Sequence, residues 1–139
     1  MQTGFGFSVG RDPNLLDIEK AGSQASEKAT RLLGAQKAQS GRKTVILDPY
    51  VTAQFLGIIG STFSGESLLK GRSLFADRQS EQIAAEILTL IDDPTDPDAF
   101  TATEVDGEGL ASRKNILIDN GNLNTFLHNT YTARSLVPT

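Results

Sequence analysis

The dipeptide Asn120-Gly121 constrains this chain more than any other stretch of it. Residues 115–119 before it and 122–127 after it carry the apolar residues of two short strands. A two-residue type I′ loop needs positive φ at both central positions, and Asn followed by Gly meets that need at the least steric cost. The spacing therefore predicts an antiparallel hairpin over 115–127. Two further strand signals, 87–91 and 100–105, precede it. They are separated by the turn clusters 92–98 (Asp92-Asp93-Pro94-Thr95-Asp96-Pro97-Asp98) and Asp106-Gly107-Glu108-Gly109.

The first 60 residues read differently. Phe5, Phe7 and Val9 alternate with small residues, which predicts a half-buried strand over 3–9 whose glycines allow another backbone to come close. Asp12-Pro13 has the form of an N-cap followed by proline at the first helical position. The stripe Ile18, Ala21, Ala25, Ala29, Leu32 then predicts a helix over 13–33, ended by Gly34 and packing tightly through its alanines. Residues 35–43 are polar and aperiodic and read as a linker. Residues 44–47 form a short apolar run expected to be a strand. Asp48-Pro49 repeats the cap signal and opens a second helix. Its Val51, Phe55, Leu56, Ile58 and Ile59 are apolar all round, so deep burial is expected, with an end at Gly60. The fold class is α+β, with helices in the N-terminal part packed on a mainly antiparallel sheet in the C-terminal part.

Composition removes several classes of function. The 139 residues contain no cysteine and one histidine, His128. That excludes a disulfide scaffold, thiol catalysis and any zinc site that needs two histidines or a cysteine from this chain. Thirteen Lys and Arg stand against 17 Asp and Glu, a net charge of −4. Nucleic acid is not an expected partner, because phosphate binding needs a basic face. No apolar run approaches the roughly 18 residues of a membrane helix, and no basic-then-apolar leader opens the sequence; a cytoplasmic location without membrane contact is expected.

The candidate chemical motifs are individually weak. The acidic cluster 92–98 lacks the glycine of a calcium loop, and two prolines oppose wrapping an ion, so it reads as a solvated turn with Asx bonds. The segment 65–73 resembles a phosphate loop but lacks Gly-Lys-Ser/Thr. Within it Lys70 and Arg72 either face solvent or pair with Glu66, or Arg72 recognises a carboxylate or backbone. His128 has Ser61 and Ser64 as possible nucleophile partners, but no Gly-x-Ser-x-Gly elbow exists. Asp106 and Glu108 form a carboxylate pair on a Gly-rich turn, open to acid–base work in a cleft or to plain solvation.

Taken together, five segments resemble the TldD/PmbA family. They are Gly60-Ser61-Thr62-Phe63-Ser64-Gly65 running on to Lys70-Gly71-Arg72-Ser73, then 88–94, then Asp106–Gly109 with Arg113, then 117–123, and last Phe126-Leu127-His128 with Tyr131-Thr132-Ala133-Arg134. Members of that family are labelled modulators of DNA gyrase and are related to zinc metallopeptidases. The resemblance implies longer chains, with an N-terminal α/β domain and a β-rich C-terminal domain that forms the dimer and the catalytic cleft. Residues 1–42 would then be the end of the first domain, residues 43–139 the start of the second, and the chain a central part of a longer protein.

In the TldD type, His-Glu-x-x-x-His on a buried helix binds zinc and supplies the general base. The resemblance, aligned through Gly60, Gly65 and Lys70-Gly71, puts those three positions at Leu56, Gly57 and Ser61. The chain therefore resembles the TldE/PmbA type, which lacks the motif. What this implies is a subunit without catalytic residues or metal of its own, with zinc in the family's catalytic subunit. A TldD-type chain or a second copy would be its partner and a peptide the shared substrate. Glu66, Lys70 and Arg72 are the candidate peptide or partner contacts. A regulator of DNA gyrase, or a hydrolase with an unrecognised site, are the alternatives.

Overall fold

The computed structural model of the chain describes residues 1–136. The last three residues of the expected segment 43–139 lie outside that range. The chain forms two compact units, Met1–Val45 and a second from Ile46 onward.

In the first unit, helix α1 spans Ile18–Arg31. The single helix expected over 13–33 is broken. Asp12 caps only a short 3-10 turn, Pro13–Leu15, by accepting from the Asn14 N–H at 2.8 Å. Leu16 is extended, and Asp17 caps α1 by accepting from the Lys20 N–H at 2.8 Å. Two Asp caps five residues apart compete for one helix start, and the chain uses both. Residues 3–9 form no strand pairing. Their alternation survives with its faces reversed. Phe5, Phe7 and Val9 are about half exposed, while Gly4 and Gly6 lie on the α1 backbone. A Cβ on Gly4 would strike the Ala25 carbonyl and come within 2.6 Å of the Ala29 nitrogen; one on Gly6 would strike the Ala21 carbonyl. The alanine stripe thus receives glycine backbone rather than large side chains. Ser8 Oγ fixes the register by accepting from the Asp17 N–H at 2.9 Å.

The second unit opens with α2, Pro49–Ser61, capped by Asp48 through the Tyr50 N–H at 2.9 Å. Residues 44–47 pair with no strand, and Ile46 is almost fully exposed. The expected deep burial of α2 does not occur: none of its residues is buried, and Ile58 is 68% exposed. After α2 come α3, Gly65–Leu69, and then β1, Leu90–Asp92; β2, Asn115–Asp119; β3, Asn122–Leu123; and α4, Thr130–Leu136. The three strands form an antiparallel sheet in the order β1-β2-β3. Leu90 pairs with Ile118, Ile91 with Ile116 and Asp92 with Asn115, with a register shift between Leu90 and Ile91.

The hairpin stands where Asn-Gly predicts it, with Asn120 at φ 46° and Gly121 at φ 81°. The strand expected over 122–127 is cut to two residues. Past Leu123 the chain leaves the ladder so that Phe126 turns into the core and Leu127 pairs elsewhere. The strand expected at 87–91 is displaced because residues 83–88 wrap the turn instead. Gly121 donates to the Leu88 carbonyl at 2.9 Å, and the Ile83 and Ala84 amides donate to the Gly121 carbonyl. Residues 100–105 form a loop with one isolated bridge, Val105 to Ala111.

The core is small. Phe63, Leu117, Ile118, Leu123 and Phe126 are buried, flanked by Leu68, Phe75, Ile83, Leu90 and Leu127. Phe63 stacks on Phe75 with centroids 5.1 Å apart and tilts against Phe126. Leu117 and Ile118 are adjacent in β2 yet both buried, so both faces of the central strand are covered. The fold is α+β, with helices leading and a small antiparallel sheet following in the chain; within the second unit Leu68 of α3 packs against the core.

Gly121 is both left-handed and enclosed; a Cβ there would lie 2.5 Å from the Ala84 carbonyl and 2.9 Å from that of Ala85. Gly121→Ala adds the left-handed cost of an L side chain to that clash, so chemical denaturation is expected to show a loss of about 2–4 kcal/mol. A neutral result would mean that residues 83–88 do not wrap the turn.

Candidate functional site

The residues singled out by the sequence fall into four places: along α2, on and just past α3, in the acidic turn after β1, and around the start of α4 with the Asp106–Gly109 turn that reaches it. On α2, Leu56 is half-buried while Gly57 and Ser61 are exposed, and no atom lies within 4 Å of a Cβ built on Gly57. The Ser61 hydroxyl donates to the Ile58 carbonyl at 2.7 Å. These residues do not fit zinc. Leucine and glycine have no donor atom, and a neutral serine already engaged with its own helix is a poor ligand. Their helical neighbours Phe55, Ile58 and Ile59 offer no polar group to orient a metal ligand. Among the described residues, no group of three or more His, Cys, Asp or Glu side chains is placed to hold a metal ion.

The end of α2 is tied to the segment beyond the hairpin by two backbone hydrogen bonds. The Leu127 N–H donates to the Phe63 carbonyl at 2.8 Å, and the Gly65 N–H donates to the Leu127 carbonyl at 2.6 Å. Ser64 sits between them and caps α3, its Oγ accepting from the Ser67 N–H at 3.1 Å. Helix α3 ends at Gly71, whose φ of 63° lets the Arg72 N–H return to the Ser67 carbonyl at 2.8 Å. That is the glycine-terminated helix end, and it requires glycine.

Glu66 and Lys70 lie one turn apart on α3 and form an ion pair. The hydrogen bond from Lys70, then its charge, holds the Glu66 carboxyl below the ordinary carboxylate value, with Arg72 adding a smaller pull. Of the three candidate contact residues, the structure thus pairs Glu66 with Lys70. Arg72 stands just past the Gly71 turn, exposed.

Helix α4 begins on two caps. Asn129 Oδ1 accepts from the Thr132 N–H at 2.8 Å, while the Asn129 N–H returns to Thr132 Oγ1 at 3.1 Å. Glu108 reaches across from its distant turn, and its Oε2 accepts from the Thr130 N–H at 2.9 Å and from the Thr130 hydroxyl at 3.2 Å. Asp106 closes that turn by accepting from the Glu108 and Leu110 amides, both at 2.9 Å. The Asp106 and Glu108 carboxylates are therefore engaged with backbone donors. Asp93 behaves likewise. Its Oδ1 accepts from the Thr95 hydroxyl and amide, and Lys114 lies 3.2 Å away. The Thr95 hydrogen bond first, and Lys114 after it, hold the Asp93 carboxyl below its ordinary value.

His128, Asn129, Thr132, Ser64, Gly65 and Glu66 line one shallow depression between α3 and α4. His128 lies over Gly65, where a Cβ would come within 2.5 Å of its Nδ1 and 2.6 Å of Thr132 Oγ1. The hydroxyls of Ser61 and Ser64 are directed to Ile58 and Ser67, so neither is activated by the imidazole. Sequence reasoning missed this packing of Gly65 under His128 and Thr132, and the Glu108–Thr130 bond. The Asn129-x-x-Thr132 cap is the signal that would have located α4.

Gly65→Ala is expected to destabilise the fold by about 1–3 kcal/mol through overpacking. His128→Ala in that background should recover part of the loss, because one of the two clashing groups is gone. A double-mutant cycle that finds no coupling would contradict the placement of the ring. For Glu66, the folded value is depressed, so the α3 ion pair contributes above the ordinary carboxylate value and is lost as pH falls through the lower folded value. Lys70→Ala should raise the Glu66 value toward the ordinary one in an NMR titration.

Comparison with known proteins places the chain in a family. Residues 40–137 match the family model described as the PmbA/TldA metallopeptidase C-terminal domain. A metalloprotease of Methanocaldococcus jannaschii is 36% identical over 131 residues, covering 94% of this chain and 28% of the relative. One from Methanothermobacter thermautotrophicus is 37% identical over 121 residues, covering 86% of this chain and 26% of the relative. The chain thus spans less than a third of the length of these relatives. Two solved structures are similar. TldE from Thermococcus kodakarensis is 29% identical, covers 91% of this chain and 28% of its own, and superposes with a TM-score of 0.72. A proposed modulator of DNA gyrase from Bacteroides thetaiotaomicron is 34% identical, covers 89% of this chain and 28% of its own, and superposes with a TM-score of 0.81.

Proposed function

Because this chain belongs to the PmbA/TldD metallopeptidase family, we propose that it is part of a TldE/PmbA-type subunit, the non-catalytic partner in a two-component peptidase. One observation carries the reading. The three positions at which the resemblance expects His, Glu and His are Leu56, Gly57 and Ser61 along α2, and none of them can bind zinc or take a proton from a bound water. The zinc chemistry then belongs to a TldD-type chain, and this chain contributes binding.

The substrate is an extended or unfolded peptide. Backbone hydrogen bonding to an open sheet edge gives sequence-tolerant affinity for such a ligand. Glu66, Lys70 and Arg72 are the polar contacts offered to peptide or partner. Assembly with a TldD-type chain, or of two copies of this one, in the cytoplasm completes the proposal. Among the described residues, no helix is long and apolar enough to cross a membrane.

A second reading, contact with DNA gyrase, is favoured by the description of similar structures as proposed modulators of that enzyme. The net charge of −4 is compatible with a protein contact.

The test is co-purification with the TldD-type chain of the same genome, followed by a peptidase assay of each chain and of the pair. Association, with activity in the pair and none in this chain alone, is the expected outcome. Enrichment of gyrase without any TldD-type chain would favour the second reading, and peptidase activity in this chain alone would overturn both.

A further inference from the structure

Asn-Gly is the dipeptide most prone to spontaneous deamidation, because glycine places no side chain in the path of ring closure. In that reaction the glycine amide nitrogen loses its proton and attacks the asparagine Cγ. Ammonia leaves and a five-membered succinimide forms. Water then opens the ring at either carbonyl, giving aspartate or an isoaspartate whose backbone runs through the side chain. The turn that founds this fold, Asn120-Gly121, has that sequence at an exposed asparagine.

The surroundings of the attacking nitrogen oppose the reaction. Gly121 is buried, and its N–H donates to the Leu88 carbonyl at 2.9 Å. Its carbonyl accepts from the Ile83 and Ala84 amides at 2.9 and 3.1 Å, and the Ala84 and Ala85 carbonyls close over its Cα. Hydroxide cannot reach an amide proton held in that way, and a nitrogen deprotonated there would face carbonyl oxygens. The electrophile is held as well. Asn120 Nδ2 donates to Asp119 Oδ1 at 2.9 Å, and Asn122 Nδ2 donates to the Asn120 carbonyl at 3.2 Å. Both central residues are fixed in the left-handed region.

We propose that Asn120 is a covalent modification site gated by the fold, closed while residues 83–88 cover Gly121 and converted to aspartate or isoaspartate when that segment lifts away. The consequence differs for the two products. Aspartate keeps the backbone and the left-handed turn. Isoaspartate inserts an extra backbone carbon between β2 and β3, which breaks the Ile118–Leu123 and Asp119–Asn122 pairing and leaves Leu123 without its place in the core. The inference is independent of the peptidase reading, since it rests on the turn alone.

Peptide mapping by mass spectrometry after incubation at mildly alkaline pH tests it. In the urea-unfolded chain, Asn120 should be the first asparagine converted. In the folded chain its conversion should be at least about tenfold slower, as expected if it must wait for local opening. Ile83→Ala, which removes a side chain that anchors the covering segment to the core, should raise the rate in the folded chain. Should that variant fail to fold, hydrogen exchange of the Gly121 amide in the native protein replaces it, with strong protection expected. Equal rates in folded and unfolded chains, an unchanged rate in a folded Ile83→Ala variant, or fast exchange at Gly121 would each overturn the proposal.

Discussion

Two hydrogen bonds hold the second unit together: the Leu127 amide to the Phe63 carbonyl, and the Gly65 amide to the Leu127 carbonyl. They join the end of α2 to the segment that leaves the hairpin, and Phe63 and Phe126 meet beside that junction with ring centroids 6.4 Å apart. With those two rings in place, Phe75 stacks on Phe63 and the sheet residues Leu117, Ile118 and Leu123 close the core. Among the described residues five hydrophobic side chains are buried, so each one matters: burying a Phe or Leu side chain contributes roughly 1.5–3 kcal/mol. Gly65 is part of the same constraint. Its missing side chain is the space that His128 and Thr132 occupy, and α3 and α4 meet there.

Helix α2 holds a contrast between composition and exposure. The helix has the residue types of a buried element, yet it presents Val51, Phe55, Ile58 and Ile59 to the outside. Where a zinc peptidase would carry imidazoles and a carboxylate, it carries hydrocarbon, a bare glycine and a self-satisfied hydroxyl. The charged groups nearby are likewise engaged locally. Glu66 pairs with Lys70, Glu108 caps α4, and Asp93 closes its own turn.

What was legible in the sequence was what short-range chemistry decides. The Asn-Gly turn, the Asp12 and Asp48 caps with their prolines, the Gly34 helix end and the Asp106–Gly109 turn each depend on neighbours within a few residues. What failed depends on distant partners. Residues 3–9, 44–47 and 100–105 have strand-like composition but no ladder to join, and a strand exists only through its pairing. Apolar alternation ordinarily marks the buried side, and so points the Phe5-Phe7-Val9 face to the interior. Here the helix beneath is lined with alanine, and the glycines approach it more closely. The candidate site followed the same division. The identities at 56, 57 and 61 could be read directly, whereas the Glu108–Thr130 bond joins residues 22 apart and had no local signature.

Metal analysis of the purified chain asks which donor atoms α2 can offer. After equilibration with zinc and removal of the loosely held excess, zinc should stand far below one equivalent per chain. One tightly bound equivalent would mean that these residues build a metal site after all, and the non-catalytic reading would be wrong.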